Sequence, residues 1–425
     1  MKIVYPVCAG LDVHKTFIVA TIITTKSNEI NPSYKKQRFS THNNQILALK
    51  NWLLDNNCHD ICMESTGKYW IPIFNLLEDE LKVTVCNPKW VKAVKGNKDD
   101  VKDSKWIAEL FRIGLVPASF IPPKFFRILR EFTRYRAKLT YQRSSEKNRL
   151  QNAFTVGNVA MDSVVSDMFG KSSKKVRDYL ISTSNFNPEY CQSLLHGRMK
   201  PKADALWESI VGYSFTPEQI IRIQMIEEHK IYLDNTIQFL DEMLDKMMAP
   251  HEEVINLLVS IPGIKRQSAI TILSEIGRDM TAFKSSKRLC AWAGLTPSSN
   301  ESAGKKKSVK ISRAGVYLKP ALVQCAHAAV KSTQNTYYKD KYERISKRRG
   351  KKRAIIAIAR MMLTAIFNMI NNGELWNPTD LYKIDMPEHL IKKQLDNAIK
   401  QATKLLIKQG ILPEEFKKSR EMRDT

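Results

Sequence analysis

The chain contains no CxxC pair, no HxxxH pair and no H-x-E element followed by C-x-x-C. Those arrangements bring thiolates or imidazoles onto zinc or set up thiol redox chemistry, so neither chemistry has support. A Walker-type glycine-rich loop is missing too, and with it the usual phosphate cradle of an ATPase. The seven cysteines are odd in number, with Cys58 and Cys62 the only close pair, and reduced thiols serving as small core residues are expected. No apolar run approaches the ~20 residues of a membrane-spanning helix, and Met1 to Pro6 lack the apolar stretch of a signal peptide. A cytoplasmic protein without a membrane partner is therefore expected. Negative charge is also short: 43 Asp and Glu face 68 Lys and Arg, leaving +25 at pH 7. A surplus of that size suggests a polyanionic partner, nucleic acid before a membrane surface.

A length of 425 residues allows two or three domains, and 43% hydrophobic with 26% charged residues suits a folded chain. Alternating apolar residues predict strands at Ile3 to Leu11 and Thr16 to Ile23, joined by a turn at Asp12 to Lys15. A third strand at Tyr34 to Ser40, a helix from Asn43 to Leu54 and a short buried strand at Ile61 to Met63, ending on Glu64, follow. A helix over 68–80, a strand at Lys82 to Cys86 and helical patterns after Pro88 complete an α/β sheet with helical cover.

Beyond Phe125 the pattern turns helical and basic as far as Phe154, and a second long amphipathic helix runs from Pro217 to Met248. With the less regular 155–216 between them, these helices suggest an antiparallel coiled-coil arm able to dimerise and to carry charge. Leu257 to Ile264, before a helix from Ser268 to Ile276, resembles a helix-hairpin-helix element for nucleic-acid backbone, with Lys265 where a second glycine is usual. A polar loop at 298–307, a helix from Tyr317 to Ser332, a basic run from Arg344 to Arg353, an apolar helix from Ala354 to Ile370 and a charged helical tail complete the chain.

Asp99, Asp100 and Asp103 crowd together ahead of Trp106, Ile107, Leu110 and Phe111. On a helix, Asp100 and Asp103 share one face, as do Asp99 and Asp103, and the repulsion between them calls for a reward such as Mg²⁺. A solvated first turn whose acids suit the helix dipole is the plainer alternative. Asp12 from the first strand and Glu64 from a later strand end add two more acids, in the order by which ribonuclease H-like folds assemble a cation site for phosphodiester chemistry. His14, beside Asp12, is a turn residue or helps to order that site. Ser302, in a loop with small residues beside Lys305, Lys306 and Lys307, is either a linker residue or a nucleophile toward phosphorus. Arg130, Arg134 and Lys138 on the basic helix and Arg348, Arg349, Lys351 and Lys352 in the basic run are further candidates for phosphate contacts.

Three N-terminal blocks, Gly10-Leu11-Asp12-Val13-His14-Lys15, Met63-Glu64-Ser65-Thr66-Gly67 and Lys98-Asp99-Asp100-Val101-Lys102-Asp103, combine with C-terminal ones. The latter include Ile261-Pro262-Gly263-Ile264, Gly294-Leu295-Thr296-Pro297, Asn300-Glu301-Ser302-Ala303-Gly304-Lys305 and Arg349-Gly350-Lys351-Lys352-Arg353-Ala354. Together they resemble the DEDD transposases of the insertion-sequence one-ten type, described as bridge-RNA-guided recombinases. The family pattern in the third block is Lys-Thr-Asp-x-x-Asp-Ala, so Asp99 replaces the threonine and Ser104 the alanine.

The resemblance implies a RuvC-like (ribonuclease H-like) α/β domain over 1–122, a coiled-coil and linker segment over 123–250, a mainly α-helical transposase domain over 251–372 and a helical tail over 373–425. It implies that Asp12, Glu64, Asp100 and Asp103 bind Mg²⁺ and that Ser302 forms a 5′-phosphoserine link to DNA. It further implies donor and target DNA, a noncoding guide RNA, and a homo-oligomer in which two dimers form a tetramer with composite sites. The expected activity is site-specific recombination that mobilises an insertion sequence. The alternative is a RuvC-like, metal-dependent, structure-selective nuclease that hydrolyses DNA junctions without a covalent intermediate.

Overall fold

The computed structural model describes residues 2–25, 31–91, 100–183, 186–297, 300–302, 305–308 and 310–378, with isolated positions beyond, and for 100–102, 300–302 and 305–308 the backbone alone. The chain divides into two units, one made of 1–135 and 274–282, the other of 136–273 and 283–425.

In the first unit, β1 (Val7–Val13), β2 (Phe17–Thr24), β3 (Ser33–Ser40), β4 (Asp60–Glu64) and β5 (Lys82–Cys86) form one mixed sheet in the order β3-β2-β1-β4-β5. The β1–β2 and β2–β3 pairs are antiparallel, and the β1–β4 and β4–β5 pairs are parallel. The first strand begins at Val7 rather than Ile3, because the N–H groups of Val4 and Tyr5 donate to the Arg112 carbonyl at 2.9 and 3.1 Å instead of joining the sheet.

The alternation in β1 splits its side chains between two cores. Ala9, Leu11 and Val13 pack with Ile46, Leu49 and Leu53 of α1 (Asn43–Asp55) and Ile73, Phe74 and Leu77 of α2 (Trp70–Leu77). On the other face, Cys8 packs with Cys62, Cys86 and Val91, the last from α3 (Pro88–Val91), and with Ile107 and Phe111 of α4 (Asp100–Arg112).

Gly10 lets α4 lie directly on β1. A Cβ built there would stand 2.3 Å from the Ser104 carbonyl oxygen and 2.5 Å from the Ala108 nitrogen. Beside it, the buried hydroxyls of Thr21 and Ser104 bond at 2.8 Å. The departure from the family's alanine at Ser104 thus has a partner in the neighbouring strand.

The unit is completed by the first part of α5 (Lys124–Val156) and the end of α12 (Arg266–Ile276). Arg130 donates to the Ser274 and Glu275 carbonyls at 3.1 and 2.6 Å, and Arg134 grips the buried Glu275 carboxylate with two bonds, at 2.7 and 2.8 Å.

In the second unit, the rest of α5 runs antiparallel to α10 (Pro217–Met248). Arg136 meets Asp241, Arg143 meets Asp234 at 3.2 Å, and Glu146 meets His229 at 3.2 Å, so partners descend on one helix as they rise on the other. Thr216 and Gln219 cap α10 reciprocally. Between the long helices, α6 (Met161–Val164), α7 (Lys171–Ser182), α8 (Pro188–Ser193) and α9 (Ala203–Glu208) enclose a core built on Phe154, Val176, Leu180 and Leu206. Sequence patterning showed this stretch as a less regular segment with short helical pieces, and those pieces share one core.

Then come α11 (Glu252–Val259), α13 (Ser286–Trp292), the antiparallel strands β6 (Asn300–Ser302) and β7 (Lys305–Ser308), α14 (Leu318–Val330), α15 (Tyr337–Arg349) and α16 (Lys351–Asn372). Two expectations are corrected here. The polar loop at 298–307 contains a strand pair. Also, α16 is long and apolar enough by length and composition to cross a membrane, contrary to the expectation that no run approached that length. Its Ala354, Ile358, Met362, Leu363 and Ile366 are instead buried where it packs with α11, α13, α14 and α15.

All seven cysteines are buried free thiols, and burial pushes Cys8 and Cys58 up to about 12, which suits packing rather than nucleophilic work. Replacing Gly10 with alanine is expected to cost about 3 kcal/mol, because the methyl meets main chain that cannot yield without moving α4. Urea unfolding of the full chain checks this.

Candidate acidic site and nucleic-acid interface

Leu11 pairs with Met63 across the parallel β1–β4 ladder, so Asp12 and Glu64 are the next residues along their strands, side by side at the carboxyl ends. Both have the parity of Cys8 and Cys62, which pack on the α4 face, so both carboxylates belong to that face. The helix runs antiparallel to β1. Its carboxyl end meets Val4 and Tyr5 through the Arg112 carbonyl, Ala108 lies by Cys8, and Ser104 lies by Gly10. One more turn toward its start carries α4 in the direction of Asp12 and Glu64, and that turn holds Asp100 and Asp103. Three segments far apart in sequence thus meet at one end of one sheet face, with Asp12 and Glu64 on that face and the first turn of α4 beside it.

The two strand-end carboxylates are each held by a donor two residues downstream. The His14 ring Nε2 lies 3.0 Å from Asp12 Oδ2, and the Thr66 hydroxyl donates to Glu64 Oε1. Asp12 is only 17% exposed, whereas His14 is 38% exposed and stacks on Phe17 with ring centroids 4.4 Å apart. Asp103, half-buried, sits in the first turn of α4, where the helix dipole favours negative charge. The Asp100 side chain and the whole of Asp99 lie outside the described residues, and among those residues no three His, Cys, Asp or Glu side chains are grouped as a metal cage. The donor set is nonetheless all carboxylate oxygen, the chemistry that a hard divalent cation such as Mg²⁺ takes.

Ser302 belongs to the second unit, at the end of β6, paired with Lys305, while Glu301 pairs with Lys306. An isolated bridge between Pro297 and Ile311 ties the flanks of this strand pair together. The side chains of Ser302, Lys305, Lys306 and Lys307 lie outside the described residues.

The proposed cations separate into two groups. Arg130 and Arg134 are spent on Ser274 and Glu275, and burial pushes the Arg130 guanidinium down to about 10 against the opposing pull of Glu275, still charged at neutral pH. These bonds give both a part in holding the fold. Lys138, Arg348, Arg349, Lys351 and Lys352 are exposed. The last four flank Gly350 between α15 and α16, together with exposed Arg344, Lys347 and Arg353, and form the densest basic surface among the described residues.

The element resembling a helix-hairpin-helix packs within the second unit. A Cβ on Gly263 would stand 2.5 Å from the Cys325 carbonyl oxygen, so that side of the hairpin presses against α14.

Two family models match the chain: a DEDD transposase model over residues 9–156 and one described as "Transposase IS116/IS110/IS902 family" over 255–343, together more than half its length. The chain belongs to the IS110 family of transposases. Among curated proteins it is similar to the "Transposase for insertion sequence element IS1111A" of Coxiella burnetii, 29% identical over 134 residues, which is 31% of this chain and 36% of that protein. It is also similar to the "Insertion element IS900 uncharacterized 42 kDa protein" of Mycobacterium paratuberculosis, 27% identical over 184 residues, 41% of this chain and 45% of that one. The matched stretches span less than half the length of either relative. Membership of a DEDD family implies dependence on a divalent metal ion.

The division of the cations is testable. Glu275→Ala, which strands two arginines, is expected to cost about 3 kcal/mol in urea unfolding. Replacing Arg348 and Arg349 together by alanine is expected to change stability by less than about 0.5 kcal/mol per site while weakening binding to duplex DNA.

Proposed function

We propose that this protein is a site-specific DNA recombinase that mobilises an insertion element through a phosphoserine intermediate, working with Mg²⁺ at Asp12, Glu64, Asp100 and Asp103. The observation that carries the reading is the convergence of Asp12 and Glu64 on one face of adjacent strand ends with the start of α4 directed toward them. A RuvC-like sheet presenting acids in this way suits phosphodiester chemistry, and Mg²⁺, when bound, supplies charge stabilisation at the phosphate oxygens. Asp12 and Glu64 hold their oxygens in fixed directions through His14 and Thr66. The Ser302 oxygen forms a bond to the 5′ phosphorus, the bond from phosphorus to the 3′ oxygen breaks, and the serine proton ends on the departing 3′ hydroxyl. The number of phosphodiester-type bonds is unchanged, so rejoining needs no ATP.

Lys305, Lys306 and Lys307 beside the serine, and the basic surface around Gly350, would take the DNA backbone. A noncoding guide RNA would be read by shape and charge rather than by bases, in keeping with the +25 surplus. The pairing of α5 with α10 supports the reading of a coiled-coil arm, and α10 carries a second apolar stripe on its exposed side: Ile221, Met225, Tyr232 and Phe239, the last three 64–65% exposed. Residues seven apart in such a stripe suit a second copy of the helix, which supports a dimer and, from two dimers, a tetramer pairing the acids of one protomer with the serine of another.

Three outcomes are expected. Denaturing gels of the full chain with element-end DNA show a covalent adduct that Ser302→Ala abolishes. Its persistence in that variant would exclude the serine, and free 5′-phosphate ends without any adduct would point to the hydrolytic nuclease instead. Chelation of divalent ions, or Asp12→Asn, lowers strand cleavage by at least about a hundredfold. Tyr232→Glu combined with Phe239→Glu shifts the protein from dimer to monomer in light scattering.

A further inference from the structure

From the acidic site, a row of paired residues leads to a cation that the motifs do not contain. Asp12 pairs with Val19 across β1 and β2, and Val19 pairs with Arg38 across β2 and β3. Residues directly opposite in a ladder share a face, so Arg38 stands on the face of Asp12, two strand spacings or roughly 10 Å away. Two contacts fix that side independently. Tyr34, of the same parity as Arg38, donates its hydroxyl to Glu109 of α4 at 3.1 Å, and Phe39, of the opposite parity, is buried in the core on the far face.

The Arg38 side chain is held in an unusual way for a residue on an exposed edge strand. Its guanidinium carbon lies 3.8 Å from the centre of the Phe17 ring. Phe17 stacks in turn on His14, and His14 bonds Asp12. Stacking occupies the flat face of a guanidinium and leaves its edge, with the N–H donors, for a planar or tetrahedral oxyanion. Among the described residues no carboxylate or carbonyl takes those donors, and Arg38 is exposed. An arginine that, among the described residues, is engaged through its face, beside a cluster of acids that repels phosphate, has the geometry of an anion anchor.

We propose that Arg38 is a phosphate anchor for the DNA strand that enters the acidic site. Resting on the reading of that site as the place of DNA chemistry, the proposal adds a binding residue to it. Phe17 sets the plane of the guanidinium, and His14 keeps Phe17 in step with the Asp12 carboxylate. A separation of roughly 10 Å assigns Arg38 to a phosphate near, but not at, the reacting one. The anchor would hold the strand in register and offset the repulsion it meets from four carboxylates.

The test uses the full-length protein and a duplex DNA oligonucleotide, with binding followed against salt concentration in the absence of divalent ions and so without chemistry. Arg38→Gln is expected to flatten the slope of log affinity against log salt by about one counterion. Arg38→Lys keeps the slope but binds more weakly, for want of the stack. Phe17→Ala weakens binding several-fold and leaves the calorimetric heat of Mn²⁺ binding unchanged. An unchanged slope for Arg38→Gln overturns the proposal. So does a flattened slope with an RNA duplex alone, or an equal loss of Mn²⁺ binding in Arg38→Gln, which would mark a general disturbance of the acids. The recombinase reading fails separately, on the absence of cleavage and adduct by the unmodified protein.

Discussion

The contact of Gly10 with the backbone of α4 is the constraint on which the acidic site rests. A glycine in a strand interior is a weak choice for the sheet, and its justification lies above it, where the Ser104 carbonyl and the Ala108 nitrogen come closer than any Cβ would allow. Once α4 is seated there and antiparallel to β1, the direction of its first turn is fixed. Because Thr21 faces the same helix, the polar contact between its hydroxyl and Ser104 fixes the lateral position without burying an unpaired donor. The pleat then places Asp12 and Glu64 on the α4 side, and the opposite parity of Leu11 and Met63 places those two in the core beneath.

The positive charge of the chain is a sum of parts with different tasks. Arg127 bonds Glu78, Arg130 and Arg134 serve Glu275, Arg177 meets Glu227, and Arg266 bridges Asp245 and Glu252. These arginines are matched by local acids and bring little field to a passing nucleic acid. What a polyanion would meet is the exposed remainder, Arg38 on the edge strand β3 and the cations around Gly350. Net charge therefore points to the class of partner, while the partition of each cation between fold and surface decides where that partner can lie.

The acids and the serine are built by different means. Asp12 and Glu64 stand on strands with a core on each face, where packing leaves little choice of direction. Ser302 stands on a short strand pair, where it and Glu301 pair with lysines and a bridge joins Pro297 to Ile311.

The sequence alone determined the order of strands and helices in the first unit, the two long helices and, through short matching blocks, the family, and it offered four acids and a serine as candidates. The elements follow from local periodicity, and the family and its candidate residues from the resemblance of short blocks, all of which the chain carries along its length. Only the tertiary structure decided which charges face inward. Arg130 and Lys138 read alike on a basic helix, yet Glu275, 145 residues from Arg130, claims one and leaves the other exposed. The strands around Ser302 were hidden for a related reason: Lys305 to Lys307 have little strand propensity, and only the pairing with β6 gives them that form. Arg38 was invisible as well, since its tie to Asp12 runs across three strands rather than along the chain. Patterns fix which face a residue belongs to, and the contacts made across strands and helices fix what that face meets.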